Sequence, residues 1–161
     1  MFEGQLVAIY VGKRKREDLQ EVDQVEAVPG RGLLGDRYFR RDGAGSPQQE
    51  VTLIEAEAIE ALARDADVVL RPAQARRNLL TRGVPLNHLV GREFSLDGVV
   101  LRGLRLCEPC SHLEAMTFPG IIRHLCHRGG LRAQIVQGGI LRAGAAVRPH
   151  GPQPTAGRKA E

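Results

Sequence analysis

The chain has 161 residues, enough for one domain with its own core; its 42% hydrophobic and 26% charged content is that of a folded globular protein rather than a disordered one. No run of about 18 apolar residues is present, which excludes a membrane-spanning helix, and the first residues place a short apolar run before the charges, the reverse of a secretory signal, so a cytoplasmic location is expected. The net charge of +4 is divided unevenly: residues 1–70 hold 9 basic and 14 acidic residues, whereas residues 71–148 hold 12 Arg, no Lys and 4 acidic residues.

The segment 5–11 (QLVAIYV) predicts a first strand. The block Lys13-Arg14-Lys15-Arg16 reads as a solvated turn, and with two Tyr, four Phe and no Trp to stack bases no nucleic-acid partner is expected. Residues 22–28 alternate apolar and polar positions as a half-buried strand does. Gly30, Gly32 and Gly35 then punctuate an eight-residue stretch (PGRGLLGD), predicting a loop with unusual backbone angles or a close approach. The spacing matches GxGxxG literally, but Gly43, Gly45 and Pro47 prevent the helix that a dinucleotide site requires after it. Residues 40–50 predict a polar surface loop.

Val51–Ile54 predicts a short strand. Thr52 and Glu55 have capping-box spacing, and the apolar positions that follow predict a helix over about 54–65. Residues 73–80 read as a strand interrupted by Arg76, Arg77 and Asn78. On a strand, Arg76 and Asn78 share one face and Arg77 takes the other, so a guanidinium and an amide form an anion clamp; a surface salt-bridge pair is the alternative. Short apolar pieces at 84–90, 92–96, 98–102 and 103–107 have the rhythm of a β-barrel or sandwich. Pro119 and the Gly129-Gly130 pair bracket a second helix, and 131–136 and 143–147 close the chain as strands. The tail from 150 to 161 is rich in Pro and Gly and is expected to be disordered, leaving one domain over 1–149.

Cys107, Cys110 and Cys126 are an odd set, so a disulfide framework is not expected. Cys107-Glu108-Pro109-Cys110 ends a strand, whereas thioredoxin-type exchange places its pair at the start of a helix. Ser111 and Glu114 can cap a short helical turn, which sets the Cys110 sulfur near helix N–H groups that favour a thiolate. Such a sulfur serves as a metal ligand, as a nucleophile or as a packing group. Packing is the simpler reading for Cys107 and Cys126. A zinc site drawing on the three cysteines with His112, His124 or His127 has no common ligand spacing. His88 reads as a turn residue, and no GxSxG elbow supports a serine hydrolase.

In this order, the stretches RGLLGDRY, QQEVTLIEAEAIEAL, ARRNLLTRGVPLNHLVGREFSLDG, CEPCSHLE and RGGLRAQIVQGGILRAGAAV resemble the MOSC domain, the module named for the C-terminal part of molybdenum-cofactor sulfurases, and CEPCSHLE is similar to the small stand-alone bacterial members. The resemblance spans about residues 4–149. It implies a mainly β fold, a closed or partly closed barrel like the barrel domain of pyruvate kinase, with two or three short helices. It implies that Cys110 is a molybdenum ligand or a persulfide carrier. It also places Arg76 and Asn78 on the phosphate of molybdenum cofactor (molybdopterin), with Gly35 and Asp36 near the same pocket. The resemblance implies either reduction of N-hydroxylated substrates with an electron-donor protein, or sulfur transfer from a cysteine desulfurase. No pyridoxal phosphate is expected, since its lysine in full-length sulfurases belongs to another domain. The chain lacks the extra domains of larger relatives, so its pocket is either complete in one chain or completed in a homodimer. Where relatives often carry Gly-Asp near the end, Gly144 is followed here by Ala145, which puts one local hydrogen bond in question. The alternative from another class is a non-catalytic binding module with structural cysteines or a zinc site.

Overall fold

The computed structural model describes residues 1–43 and 45–152; the expected tail falls largely outside them. The strands and helices are β1 (Gly4–Val11), β2 (Gln20–Val22), β3 (Gln24–Val28), β4 (Gly32–Leu33), β5 (Val51–Glu55), α1 (Ala56–Ala66), β6 (Leu79–Arg82), β7 (Glu93–Leu96), β8 (Val99–Leu106), α2 (Ser111–Met116), α3 (Ile121–Leu125), β9 (Leu131–Gln137), β10 (Gly139–Arg142) and β11 (Ala146–Pro149). The order β11-β7-β8-β9-β5-β6-β1, with β1 also pairing β11, closes a seven-stranded barrel. β2 extends β1 as a hairpin, and β10, β3 and β4 form a separate small sheet. The fold is mainly β, a closed barrel with three short helices.

A ring of seven strands cannot alternate direction all the way round, so one neighbouring pair must be parallel. That pair is β5–β6, and every other pair in the ring is antiparallel. A parallel pair needs a long crossover rather than a tight turn. α1 supplies it, lying outside the barrel wall. Its end is set by Asp67, which takes the left-handed conformation (φ 52°) and donates its N–H to the Leu62 carbonyl.

Two apolar clusters result. Inside the barrel, Leu6, Ile9, Leu53, Leu79, Phe94, Leu96, Leu101, Leu131 and Val147 are fully buried. Leu6 and Ile9 share the interior despite an odd spacing because the pairing register of β1 against β6 shifts between Leu6 and Ala8. Beyond the shift the strand alternates normally, so Ala8 and Tyr10 face outward. There they meet the second cluster, formed with Ile59 and Leu62 of α1, Leu113 of α2, and Ile121 and Leu125 of α3. The α2–α3 segment is thereby held against the outer wall, which fixes the position of Cys110 at its start.

Several local expectations change. Residues 73–80 are not one strand: Pro72–Ala75 form a 3₁₀ turn, and Arg76 ends it at φ 58°. A proline followed by a left-handed residue breaks the extended run, so strand alternation does not apply to Arg76, Arg77 and Asn78. Thr52 does not cap α1; Glu55 is the cap residue and its side chain makes no capping bond. The apolar piece at 84–90 contains a 3₁₀ turn, Leu86–Leu89. The pieces at 98–102 and 103–107 are one strand, β8, whose register shifts just after Gly103, where the Leu89 carbonyl packs too closely for a side chain. Gly144 and Ala145 make the local bonds through the backbone: Leu6 N–H donates to the Ala145 carbonyl (2.8 Å), and Gly144 N–H donates to the Leu6 carbonyl (2.7 Å). Among the described residues, no helix is long and apolar enough to cross a membrane.

Candidate functional site

The β5–β6 pair brings Thr52 and Asn78 side by side at one rim of the barrel. Asn78 N–H donates to the Thr52 carbonyl (3.1 Å), and the Asn78 Oδ1 accepts from both Thr52 N–H and Thr52 Oγ1 (3.1 Å each). Its Nδ2 donates to the Tyr10 carbonyl (3.1 Å) and reaches Asp36 Oδ1 at 3.5 Å. Asn78 is 7% exposed, and its amide is spent on the protein itself. Its role in the structure is to join β1, β5 and the glycine-rich loop.

That loop has the conformation expected of it: Gly30, Gly32 and Gly35 all have φ in the left-handed region, between 76° and 107°. Asp36, 7% exposed, pins the loop to the barrel by accepting from Gly12 N–H (2.9 Å) and Tyr38 N–H (3.3 Å). Gly35 and Asp36 therefore shape the loop, and it is the next two residues, Arg37 and Tyr38, that reach the cleft. The Arg37 side chain is 13% exposed, with its guanidinium carbon 4.6 Å from the Tyr38 ring centre and Nη1 3.9 Å from Asp36 Oδ1. Its Nε is buried without a hydrogen-bond partner. A buried donor left unpaired is costly, and a ligand acceptor would relieve it.

The cleft has a volume of about 190 Å³. Its wall includes Arg37, Arg76, Arg77, Asn78, Cys110 and Arg132. Arg76, Asn78 and Cys110, expected to act together from the sequence, do meet here. Arg77 meets them too, contrary to its expected place on the opposite face. Its guanidinium is committed to three carbonyls, of Gly129 (2.8 Å), Cys107 (3.1 Å) and Ala75 (3.4 Å), so it holds the two segments flanking α2 and α3 against the barrel. Arg76 donates to the Glu17 carbonyl (2.9 Å) and Arg132 to the Gln48 carbonyl (3.0 Å), each keeping donors to spare. Arg37, Tyr38, Gln49, Thr52 and Arg132 join the cleft without having been expected there. The signal for Arg132 was the arginine bias of the second half; Thr52 was obscured by its capping-box spacing.

Four guanidiniums and no carboxylate line the cleft. Burial and the adjacent Arg37 charge push Arg76 below the ordinary arginine range, with Arg77 adding to the effect and Tyr38 and Asp18 opposing it. The cleft wall therefore carries an excess of positive charge. Cys110 is exposed at the wall and is the cap residue of α2; His112 stands next to it in the cleft, also exposed. Cys107 is buried and Cys126 exposed elsewhere on the surface. The family model for the MOSC domain matches residues 40–148. The chain belongs to the MOSC domain family. The structure is similar over 95% of the chain to YuaD of Bacillus subtilis (TM-score 0.76, 18% identity, all of that chain covered). It is likewise similar to YiiM of Geobacillus stearothermophilus (TM-score 0.74, 17% identity, 95% of this chain and 78% of that one). YiiM of Escherichia coli matches with a TM-score of 0.68 at 20% identity, over 95% of this chain and 71% of that one. These likenesses establish the MOSC barrel as the fold. No curated protein sequence matches the chain.

Proposed function

We propose that this MOSC domain binds molybdenum cofactor in the arginine-lined cleft, with Cys110 as the sulfur ligand of the metal. The observation that carries the reading is the convergence of four guanidiniums, no carboxylate and one accessible thiol on a single cleft. The donor set suits the two ends of such a cofactor: guanidinium forks match a phosphate, and a thiolate suits a soft metal. Arg76 and Arg132, with donors to spare, and Arg37, with its unpaired Nε, would hold the phosphate. Asn78 and Asp36 would keep Arg37 and the loop in place. At about 190 Å³ the cleft is smaller than the roughly 300–1,000 Å³ usual for small-molecule sites, so it accounts for the phosphate end and not the whole cofactor. A second copy of the chain is one means of enclosing the rest. When bound, the molybdenum centre supplies two-electron chemistry, such as reduction of an N-hydroxylated substrate, and an electron-donor protein would feed it.

A second reading rests on the exposure of Cys110: a sulfur reachable by another protein can accept sulfane sulfur from a cysteine desulfurase and pass it on. One experiment separates the two. The chain is expressed in a host that makes the cofactor, purified anaerobically, and analysed for molybdenum beside Cys110→Ala and Arg76→Ala. Molybdenum in the wild type that is lost in both variants is the expected result. A wild type free of molybdenum but carrying a persulfide on Cys110 by mass spectrometry transfers the assignment to sulfur carriage. Neither signal overturns both readings and leaves the arginine cleft as a plain anion-binding module.

A further inference from the structure

We propose that Glu108, Cys126 and His127 form a second metal site, separate from the cleft, for a borderline-soft divalent cation of the zinc class. One donor atom from each of the three residues lies within 4.8 Å of the others. Among the described residues this is the one such grouping, and none of the three lines the arginine cleft. The four-ligand set that the three cysteines and a histidine suggest from the sequence is not the one assembled; a glutamate from inside the Cys107–Cys110 motif takes the place of the other two sulfurs.

The arrangement is held from several sides. His127 Nδ1 lies 3.4 Å from Glu108 Oε2, and the Cys126 Sγ lies 3.9 Å from the same oxygen. The His127 backbone N–H donates to both carboxylate oxygens (3.0 and 3.3 Å), so the carboxylate is oriented before any cation arrives. Asn87 Nδ2 donates to the His127 carbonyl (2.8 Å) and fixes the other side of that residue. Thiolate, imidazole and carboxylate together select zinc-like cations over hard ones such as magnesium, which take oxygen alone. All three residues are exposed, so a cation reaches them directly and water completes the coordination.

The site has a structural consequence. Glu108 leaves the end of β8, and Cys126 and His127 follow α3, so a cation ties the two ends of the α2–α3 segment across 18 residues. Arg77 already binds the same two chain segments through the Cys107 and Gly129 carbonyls. Metal occupancy would therefore stiffen the segment that carries Cys110, coupling the surface site to the cleft wall.

The test uses the full chain, reduced and stripped by chelator. Zn²⁺ is titrated in competition with a chromophoric chelator, and Co²⁺ is added to read the thiolate-to-metal charge-transfer band. One equivalent of Zn²⁺ is expected, with a cobalt–thiolate band. Cys126→Ser and His127→Gln, both at exposed positions, are each expected to weaken Zn²⁺ by more than the roughly 10–100-fold that loss of an outer hydrogen-bond partner costs, and Cys126→Ser to abolish the band. Cys110→Ser is expected to leave both unchanged, which keeps the outcome independent of the cofactor reading. Absence of Zn²⁺ binding, binding indifferent to both Cys126→Ser and His127→Gln, or binding lost in Cys110→Ser overturns the assignment.

Discussion

Replacing Asn78 by Ala tests whether this residue works as a strut or as a ligand. The side chain makes three hydrogen bonds at 3.1 Å, to Thr52 N–H, Thr52 Oγ1 and the Tyr10 carbonyl, and a longer one to Asp36. Truncation removes all of them at a buried position. Each is worth about 1 kcal/mol net, and the backbone groups left without this partner cost further. A loss of about 3 kcal/mol follows. For a domain of this size each kcal/mol moves the melting temperature by about 2–4 °C, so the midpoint should fall by about 6–12 °C. Asn78→Asp keeps the acceptors facing Thr52 but sets a carboxylate against the Tyr10 carbonyl and Asp36. Those neighbours raise the pKa of the new acid in the folded state, so its stability falls as pH rises through the acidic range and partly returns on acidification. Arg76→Ala loses one bond, to the Glu17 carbonyl, and should cost only about 1 kcal/mol while removing an anion contact. Urea unfolding of the three variants beside wild type, with inorganic phosphate titrated into each, is the assay. An Asn78→Ala protein within about 0.5 kcal/mol of wild type would refute the strut assignment.

Three other perturbations have determined directions. Gly130 has φ 114°, and a Cβ there would collide with the Leu53 carbonyl of β5, so Gly130→Ala should cost several kcal/mol and give little folded protein by circular dichroism. Glu50 is buried, receiving Gly30 N–H (2.6 Å) and Ile135 N–H (3.1 Å); burial nonetheless raises its pKa above the ordinary glutamate value. The folded state then holds the proton more tightly than the unfolded chain, so stability from this group is present at low pH and declines as pH rises through the interval just above that value. The stability difference between wild type and Glu50→Gln should shrink across that interval; a difference that widens would contradict the raised pKa. Arg77→Lys cannot reproduce a fork reaching three carbonyls, and it should cost about 2 kcal/mol and speed proteolytic cleavage within 107–129.

What the sequence revealed follows from how local each signal is. Barrel strands were legible as short apolar runs, such as 5–11 and 131–136, while period-two alternation marked 22–28, which holds β3 of the small sheet. A short helix after Cys110 was legible from Ser111 and Glu114, but those side chains do not cap it: Cys110 is itself the cap residue, and Glu114 accepts from Gly120 N–H instead. Arg76, Arg77 and Asn78 were placed on a strand because their flanks are apolar; the 3₁₀ turn at Pro72–Ala75 and the left-handed Arg76 that ends it interrupt the run, and the Arg76 side chain is turned to the Glu17 carbonyl, 59 positions away in the chain. Thr52 offered a plausible local partner in Glu55, and the tertiary partner Asn78, 26 positions away, took it instead. β10 went unpredicted because its strand character comes from pairing with β3. Asp36 and Asn78 were read as cofactor-binding residues; in the structure their polar atoms bond the protein itself, tying the glycine-rich loop to β1 and β5, a distinction that residue type alone does not carry.

The position of the cleft follows from the parity of the barrel. Because seven strands require one parallel neighbour pair, β5 and β6 both begin at the same rim, and the residues at or just before their starts, Thr52 and Asn78, are brought together there. β9, antiparallel to β5, places Arg132 opposite Thr52 at that rim, and β8, paired with β9, delivers Cys107 and then Cys110 to it. β1 ends there as well, and Gly12, just after it, receives the Asp36 side chain that brings Arg37 over the opening. Five segments distant in sequence thus converge through pairing register as well as strand direction: β8 runs the same way as β5, and the stagger that sets Thr52 opposite Arg132 and Leu106 opposite Leu131 brings the end of β8 level with the start of β5. A change that weakens the parallel pair would disperse the arginines and the thiol together, whereas a change at any one lining residue would remove a single contact. Asn78→Ala and Arg76→Ala sample these two cases, so phosphate affinity should fall in both, with a stability loss about three times larger in the first.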